Sequence, residues 1–304
     1  MASSDIEPKR TIGISLSNKK LTGVSVGSGK VDGPIVVSYD PHQGLVDQLT
    51  GFVGALKQNF GEFERAGMAI PGLVEARSRR VAYSAGFSEF PELDIAQEIR
   101  GSAGLELIIE NDANSAAFGE FRIGGGRGAR HLFYVTLGQG VGGSFIFDGK
   151  ILHGTSGFAG EFGYVAIDQD GTHLEEAVSS DSVVRRTLSR IHQDSTSALS
   201  RVEESAMTVE DIIEAARDGD DFAILMLERT GAYLGSALAS VINLLNVDRI
   251  VLGGFAAEAG EILMEPIRAR AREASFGPSF ADVAIVSGEL GENAAAVGAA
   301  LISQ

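Results

Sequence analysis

The segment Glu110-Asn111-Asp112-Ala113-Asn114 stands where an apolar run, Leu105 to Ile109, stops and a helical pattern, Ala113 to Phe121, starts. A carboxylate at such a junction has two uses. It can cap the helix, because Asn and Asp side chains satisfy the free N–H groups of a first turn. It can also project from the strand end into a cleft and accept the proton of a hydroxyl. The residues leave both open for Asp112. Further along, GFAGEFGY (Gly157 to Tyr164) puts Glu161 among small residues, which permit close approach by a polar ligand; the plainer reading is an exposed loop acid. Glu175, in the run His173 to Glu176, precedes a helix, where acidic residues favour the N-terminal dipole with no ligand at all.

Glycine clusters offer a second kind of chemistry. LGQGVGG (Leu137 to Gly143) lies between two strand patterns, so its amides can turn inward around an anion with no side chain in the way. An ordinary tight hairpin has the same composition. The run is not the GxGxxG fingerprint that opens a helix, because Ser144 to Phe147 continues as strand. Gly253 and Gly254 close another apolar run, a strand-end turn that could receive an adenine or ribose or be plain loop. His42, His131, His153, His173 and His192 show no metal-ligand spacing and read as solvated or packed.

The elements that must position these residues fall into two similar sets. Thr11 to Leu16, a polar turn at Ser17 to Lys20, and Leu21 to Val26 form one hairpin; His131 to Leu137, Gly138 to Gly143, and Ser144 to Phe147 form another. At a single offset Ser15 falls on Thr136, Leu16 on Leu137, Ser17 on Gly138, Val24 on Phe145 and Val26 on Phe147. A third short strand follows each, Ile35 to Ser38 and Lys150 to His153. Between Gly44 and Asn59, Leu45, Leu49, Phe52, Val53 and Leu56 repeat at helical spacing. Ala66 to Ile70 reads as a strand ending at Pro71-Gly72. Ser182 to His192, Val209 to Arg217 and Phe222 to Leu245 read as helices, and Arg249 to Leu252 and Ala284 to Ser287 as strands. Strands followed by helices, twice over, predict two α/β lobes with mixed sheets. The interruption GGGRGAR, within Ile123 to Arg130, places the boundary: residues 1–122 completed by a C-terminal helix at 291–304, and residues 123–290.

Composition narrows the classes. Of 304 residues, 44% are hydrophobic and 22% charged, which suits a folded soluble chain and not a disordered one. Forty-one acidic against 25 basic residues give −16, which repels nucleic-acid backbones and anionic membranes over most of the surface. Neither nucleic acid nor membrane is therefore an expected partner. No cysteine is present, so disulfides, thiolate nucleophiles and sulfur-ligated zinc are excluded together. MASSDIEPKR has no apolar leader run, and no stretch reaches the ~18 apolar residues of a membrane span. The expected compartment is the cytoplasm.

Taken in order, the segments resemble the ROK family of sugar kinases and repressors. The matching stretches are ENDANSAAFGE (Glu110 to Glu120), TLGQGVGG (Thr136 to Gly143), GFAGEFGY, HLEEAVS (His173 to Ser179), NLLNVDRIVLGG (Asn243 to Gly254) and LGENAAAVGAAL (Leu290 to Leu301). The resemblance implies a two-lobed actin-like ATPase fold, of duplicated ribonuclease H-like type with mixed sheets, closing on a sugar. It implies ATP-dependent phosphorylation of a hexose hydroxyl, of glucose, an N-acetylhexosamine or a relative, with Mg2+ and a homodimeric assembly. Asp112 matches the family's base. Gly72, Asn111, Glu161, Tyr164 and Glu175 match positions at the sugar, and carboxylates suit hydroxyl donors. Thr136, Gly138, Gly140 and Gly142 match the second phosphate loop, and Gly253 and Gly254 the adenosine segment.

Departures from the pattern carry their own expectations. Where the family's first phosphate loop reads Asp-x-Gly-Gly-Thr, this chain has Ser15, Leu16, Ser17, Asn18 and Lys19, so the magnesium-organising carboxylate and both glycines are replaced. A sugar-binding pseudokinase or sensor is the competing function. About ten residues precede the first strand, with no room in this chain for a helix-turn-helix reader. Tyr164 stands where the family's zinc-binding His stands, and the three zinc cysteines are missing. Elemental analysis of the purified chain is expected to show no tightly bound zinc; one zinc per chain would overturn that expectation.

Overall fold

The computed structural model describes residues 10–17, 19–87, 89–191 and 196–304. The readings placed on the leader segment, on Asn18 and on His192 lie outside the described residues. Two compact units divide the chain: residues up to 127 with 150–159 and 292–304, and residues 128–149 with 160–291.

The first unit opens with β1 (Thr11–Ser17), β2 (Lys20–Gly27) and β3 (Lys30–Ser38). Helix α1 (Leu45–Phe60) follows and buries Leu45, Leu49, Phe52, Val53 and Leu56, the stripe its spacing demands. Next come β4 (Arg65–Ile70), the small hairpin β5 (Leu73–Val74) and β6 (Val81–Tyr83), and α2 (Ile95–Ala103). Asp94 caps α2 by accepting the Gln97 N–H, and Gly104 ends it in the left-handed conformation at φ 64°. Strand β7 (Glu106–Asn111) then runs straight into α3 (Asp112–Ile123). The sheet order is β3-β2-β1-β4-β7, with β1 antiparallel to β2 and parallel to β4, and β4 parallel to β7.

The second unit repeats this plan with β8 (His131–Leu137) and β9 (Val141–Phe147). The two-residue β10 (Lys150–Ile151) stands beside β9 as β3 stands beside β2, and the segment 150–159 that it opens, which the boundary reading assigned to the second lobe, falls with the first unit. Within that unit the Ala76 N–H donates to Ser156 O, at 3.1 Å. Helices α4 (Glu175–Val178), α5 (Ser180–Ile191), α6 (Val209–Arg217) and α7 (Asp221–Leu245) lead to β11 (Arg249–Gly254). Then follow α8 (Phe255–Ala259), α9 (Glu261–Ala274), α10 (Gly277–Ala281) and β12 (Ala284–Ser287). Strands β9-β8-β11-β12 have the same senses as β2-β1-β4-β7: one antiparallel neighbour, then two parallel ones.

That duplication corrects the single-offset match. Gly13 faces Val24 across the first hairpin, whereas Tyr134 faces Ser144 across the second. Val24 therefore corresponds to Ser144 and Val26 to Ile146, one residue earlier than the alignment of strands gave. Between equivalent pairs, Leu16–Leu21 and Leu137–Val141, the second connection is one residue shorter, and a one-residue slip exchanges the two faces of a strand. Burial agrees: Val24, Val26, Ser144 and Ile146 are buried, Phe145 and Phe147 only half-buried.

The last helix, α11 (Ala294–Ile302), packs in the first unit against β1, β4 and α3. Glycine makes that approach possible. A Cβ added to Gly13 or Gly67 would lie 1.9 Å from the carbonyl oxygen of Ala296 or Ala299, and one on Gly298 would lie 1.6 Å from that of Ser115. Because each obstacle is backbone, no rotamer change relieves the clash. Gly298→Ala or Gly67→Ala is expected to lower stability by about 1–3 kcal/mol or more, read as the denaturant midpoint. Gly51→Ala, in α1 with nothing within 4 Å of the added carbon, is the control, and should raise stability by about 1 kcal/mol at most through helix propensity.

Candidate functional site

Each unit carries one part of the predicted constellation. In the first, Asn111 is the N-cap of α3: its Oδ1 accepts the Asn114 N–H at 2.9 Å. The cap is therefore Asn111 and not the acid that follows it. Asp112 is the first residue of the helix rather than its cap, and its half-buried carboxylate is held at Oδ1 by the Ala113 N–H (2.9 Å) and by Asn111 Nδ2 (3.0 Å). Asn111 Nδ2 also donates to Gly72 O at 2.9 Å. Gly72 is glycine for a backbone reason: φ is 127°, and a Cβ would lie 2.4 Å from Tyr83 O in the β5–β6 hairpin.

Behind this turn lies a group that the residue pattern did not single out. Glu110 is 1% exposed, and donors converge on both of its oxygens. Asn111 N–H and Asn114 Nδ2 reach Oε1, each at 3.0 Å. Oε2 receives Arg79 Nη1 and lies 2.8 Å from His153 Nε2. Burial by itself would raise the carboxyl's pKa, but the hydrogen bond and charge of His153, then Asn114 and Arg79, together hold it below the usual value. His153, read from spacing as solvated or packed, is thus a partner of a buried carboxylate. No local pattern pairs it with Glu110, because 43 residues separate them, and 31 separate Arg79 from the same acid.

In the second unit the β8–β9 connection is the three residues Gly138, Gln139 and Gly140, with Leu137 facing Val141. Two bonds fix it from outside the hairpin. Ser180 N–H donates to Gly138 O at 2.8 Å, and Val141 N–H donates to Glu175 Oε2 at 2.7 Å. A Cβ on Gly140 would lie 2.9 Å from that same Oε2. Glu175 is therefore an anchor of the glycine turn as well as a candidate ligand. Desolvation of the Glu161 carboxyl, and then the charge of Glu175, raise the pKa of Glu161. Tyr164 is 67% exposed, its ring centroid 5.1 Å from that of His173.

The remaining candidates sit at strand ends. Thr136, half-buried, pairs with Gly142 on one side and Gly253 on the other. Gly253 and Gly254 are small because β8 is close: added Cβ atoms would lie 2.2 Å from Tyr134 Oη and 2.0 Å from Leu137 O. Ser15 is buried in β1, between Thr22 and Ala69. At the β1–β2 turn Ser17 faces Lys20, and Lys19, at φ 60°, accepts the Tyr39 N–H at its carbonyl. Among the described residues, no group of three or more His, Cys, Asp or Glu is placed to hold a metal ion, and no helix is long and apolar enough to cross a membrane.

Proteins of known activity resemble this chain in sequence and in fold. A glucokinase of Halalkalibacterium halodurans is 32% identical over 256 residues, covering 80% of this chain and 76% of that protein. The crystal structure of a ROK family glucokinase from Streptomyces griseus, in complex with glucose and AMPPNP, superposes with a TM-score of 0.85 at 27% identity, over 97% of this chain and 99% of that one. A ROK family transcriptional regulator, a homologue of the Escherichia coli MLC protein, has the same TM-score and identity over 97% of this chain and 78% of its own. The model of the ROK family matches residues 36–304. With that match spanning most of the chain, and with the duplicated mixed sheets described above, the protein belongs to the ROK family and has its actin-like ATPase fold.

Proposed function

We propose that this protein is an ATP-dependent sugar kinase that phosphorylates a hexose hydroxyl with Asp112 as general base. One observation carries the reading: the cap of α3 is Asn111, and Asp112 follows it at the strand end with one carboxylate oxygen held by Asn111 and by the Ala113 N–H. The relatives that are glucokinases support the same chemistry. In the reaction the sugar oxygen bonds to the γ-phosphorus as the bond from that phosphorus to the bridging oxygen breaks. ADP leaves, and the hydroxyl proton passes to Asp112. Such transfers rest on positioning and charge stabilisation rather than covalent chemistry, so one placed carboxylate is sufficient as base.

Asn111 and Gly72 on the first unit, and Glu161, Glu175 and Tyr164 on the second, are proposed sugar positions. Thr136, Gly138, Gly140 and Gly142 are proposed for the phosphates, and Gly253 and Gly254 for the adenosine. Backbone amides of a glycine turn can meet phosphate oxygens without a cationic side chain. Mg2+, which binds nucleotide phosphates with one or two carboxylates and several waters, neutralises phosphate charge when present. Strand β1 offers a buried hydroxyl at Ser15, a hard oxygen without the charge of a carboxylate, and no step of the transfer is routed through the metal. The same Ser15, with the tight Ser17–Lys20 turn, favours a second reading: a sugar-binding protein in which phosphoryl transfer is slow or lost. Coupled-assay turnover on a panel of hexoses with ATP and magnesium separates the two.

Asp112→Asn keeps shape and most hydrogen bonding but cannot take a proton. Turnover should fall by about 100-fold or more, while sugar affinity measured by calorimetry changes far less. Unchanged turnover would remove the base assignment. Glu161→Ala and Glu175→Ala should each weaken sugar binding by about 1–3 kcal/mol. Because Glu175 also anchors Val141 N–H, its variant should raise the KM for ATP as well, which Glu161→Ala should not.

The raised pKa of Glu161 gives a pH signature with a definite sign. Hydroxyl donors favour the ionised carboxylate, so sugar binding expels its proton. Affinity is therefore highest above that raised pKa and falls as pH drops through it. Glu161→Gln should flatten the profile; a profile unaltered by it would detach Glu161 from the sugar.

A further inference from the structure

We infer that Glu110 is a positioning residue for the phosphoryl transfer, fixing the Asn111–Asp112 turn through charge-assisted bonds that only an anion can accept, an inference that rests on Asp112 being the base. Each oxygen of Glu110 faces at least one group that can only donate: the Asn111 N–H on Oε1 and the Arg79 guanidinium on Oε2. Asn114 Nδ2 and His153 Nε2 complete the set. A neutral glutamine of the same shape serves one side with its carbonyl and turns its own N–H groups against donors on the other. The position therefore requires a carboxylate.

An ionised acid in this place is an expensive choice. Burying a charge costs several kcal/mol, and buried ion pairs are weak evidence for stability. A strand-to-helix turn forms without one, since Asn111 alone caps α3. What the carboxylate adds is direction. It pins the N–H of Asn111 and the side chain of Asn114, on either side of Asp112. Asn111, so oriented, spends Oδ1 on the Asn114 N–H and Nδ2 on Gly72 O and Asp112 Oδ1. The path from Glu110 to the proposed base is thus one residue long.

Arg79 and His153 extend the device to two further segments of the first unit. Arg79 comes from the connection between β5 and β6, the hairpin that Gly72 and its carbonyl immediately precede. His153 comes from segment 150–159, where a Cβ on Gly157 would lie 2.2 Å from Val74 O. One buried carboxylate therefore holds three stretches of chain in register around the residue that is to take the proton.

The test uses the full-length protein with sugar and Mg-ATP. Glu110→Gln should lower kcat by about 10- to 100-fold and alter sugar affinity by less. In an Asp112→Asn background the same change should cost little more, because its effect is exerted through Asp112. His153→Leu should also lower kcat, whereas His153→Gln, which keeps an N–H donor, should stay near the wild type. Circular dichroism and thermal unfolding show which variants fold; if Glu110→Gln does not, the two His153 variants decide. A kcat that needs Asp112 but is indifferent to Glu110→Gln and His153→Leu overturns the inference alone, as does a fully additive loss in the Asp112→Asn background or equal losses in both His153 variants. A wild type without turnover, or one untouched by Asp112→Asn, removes the base assignment and this inference together.

Discussion

Helix α11 meets β1, β4 and α3 with almost no side chain in between, and the geometry of the first unit follows from that contact. Helices ordinarily pack with axes 8–10 Å apart because side chains fill the gap. Here glycines at 13, 67 and 298 and a run of alanines remove the filling, so carbonyl oxygens set the distance. Such an interface has little capacity to adjust. Its rigidity reaches the proposed base directly, since α3 begins at Asp112 and shows α11 a face that includes Ser115.

Electrostatics divides the two units in different ways. The first buries one carboxylate and surrounds it with an arginine, a histidine and amide donors, so its charge is consumed in holding structure. The second leaves Glu161 and Glu175 interacting as like charges, a situation relieved by hydroxyl donors such as those of a polyol. In a chain of net charge −16, the glycine turn beside Glu175, proposed above for phosphate, offers backbone amides rather than lysines. Amide dipoles act at short range without drawing in anions over long distances.

Much of the fold could be read from the residues because local periodicity was strong. The stripe of α1 and the long apolar α7 announced themselves, and strand alternation gave both hairpins. Helix α9 did not: Pro266 sits inside it and Arg268, Arg270 and Arg272 interrupt the run, masking the spacing of Leu263, Met264, Ile267 and Ala271. The offset match between hairpins failed in its second strand because one residue fewer between the equivalent pairs Leu16–Leu21 and Leu137–Val141 shifts register without a visible change of composition. At the site, motif order singled out Asp112, yet which residue caps the helix was a matter of rotamer and backbone angle, invisible in the letters NDAN. Glu110 with Arg79 and His153 is a contact among distant segments, and no spacing rule reaches across 31 and 43 residues.

The return of residues 292–304 to the first unit has a consequence for biosynthesis. Translation proceeds from the N-terminus, and domains generally fold as units once their residues have emerged. The sheet of the first unit emerges early but lacks the helix that covers Gly13 and Gly67 until residues 292–304 have followed the whole second unit. The second unit, complete by residue 291, has its whole complement of residues before the first does. Order of completion is therefore the reverse of order of synthesis, and a nascent chain carries an uncovered apolar sheet face through most of its elongation.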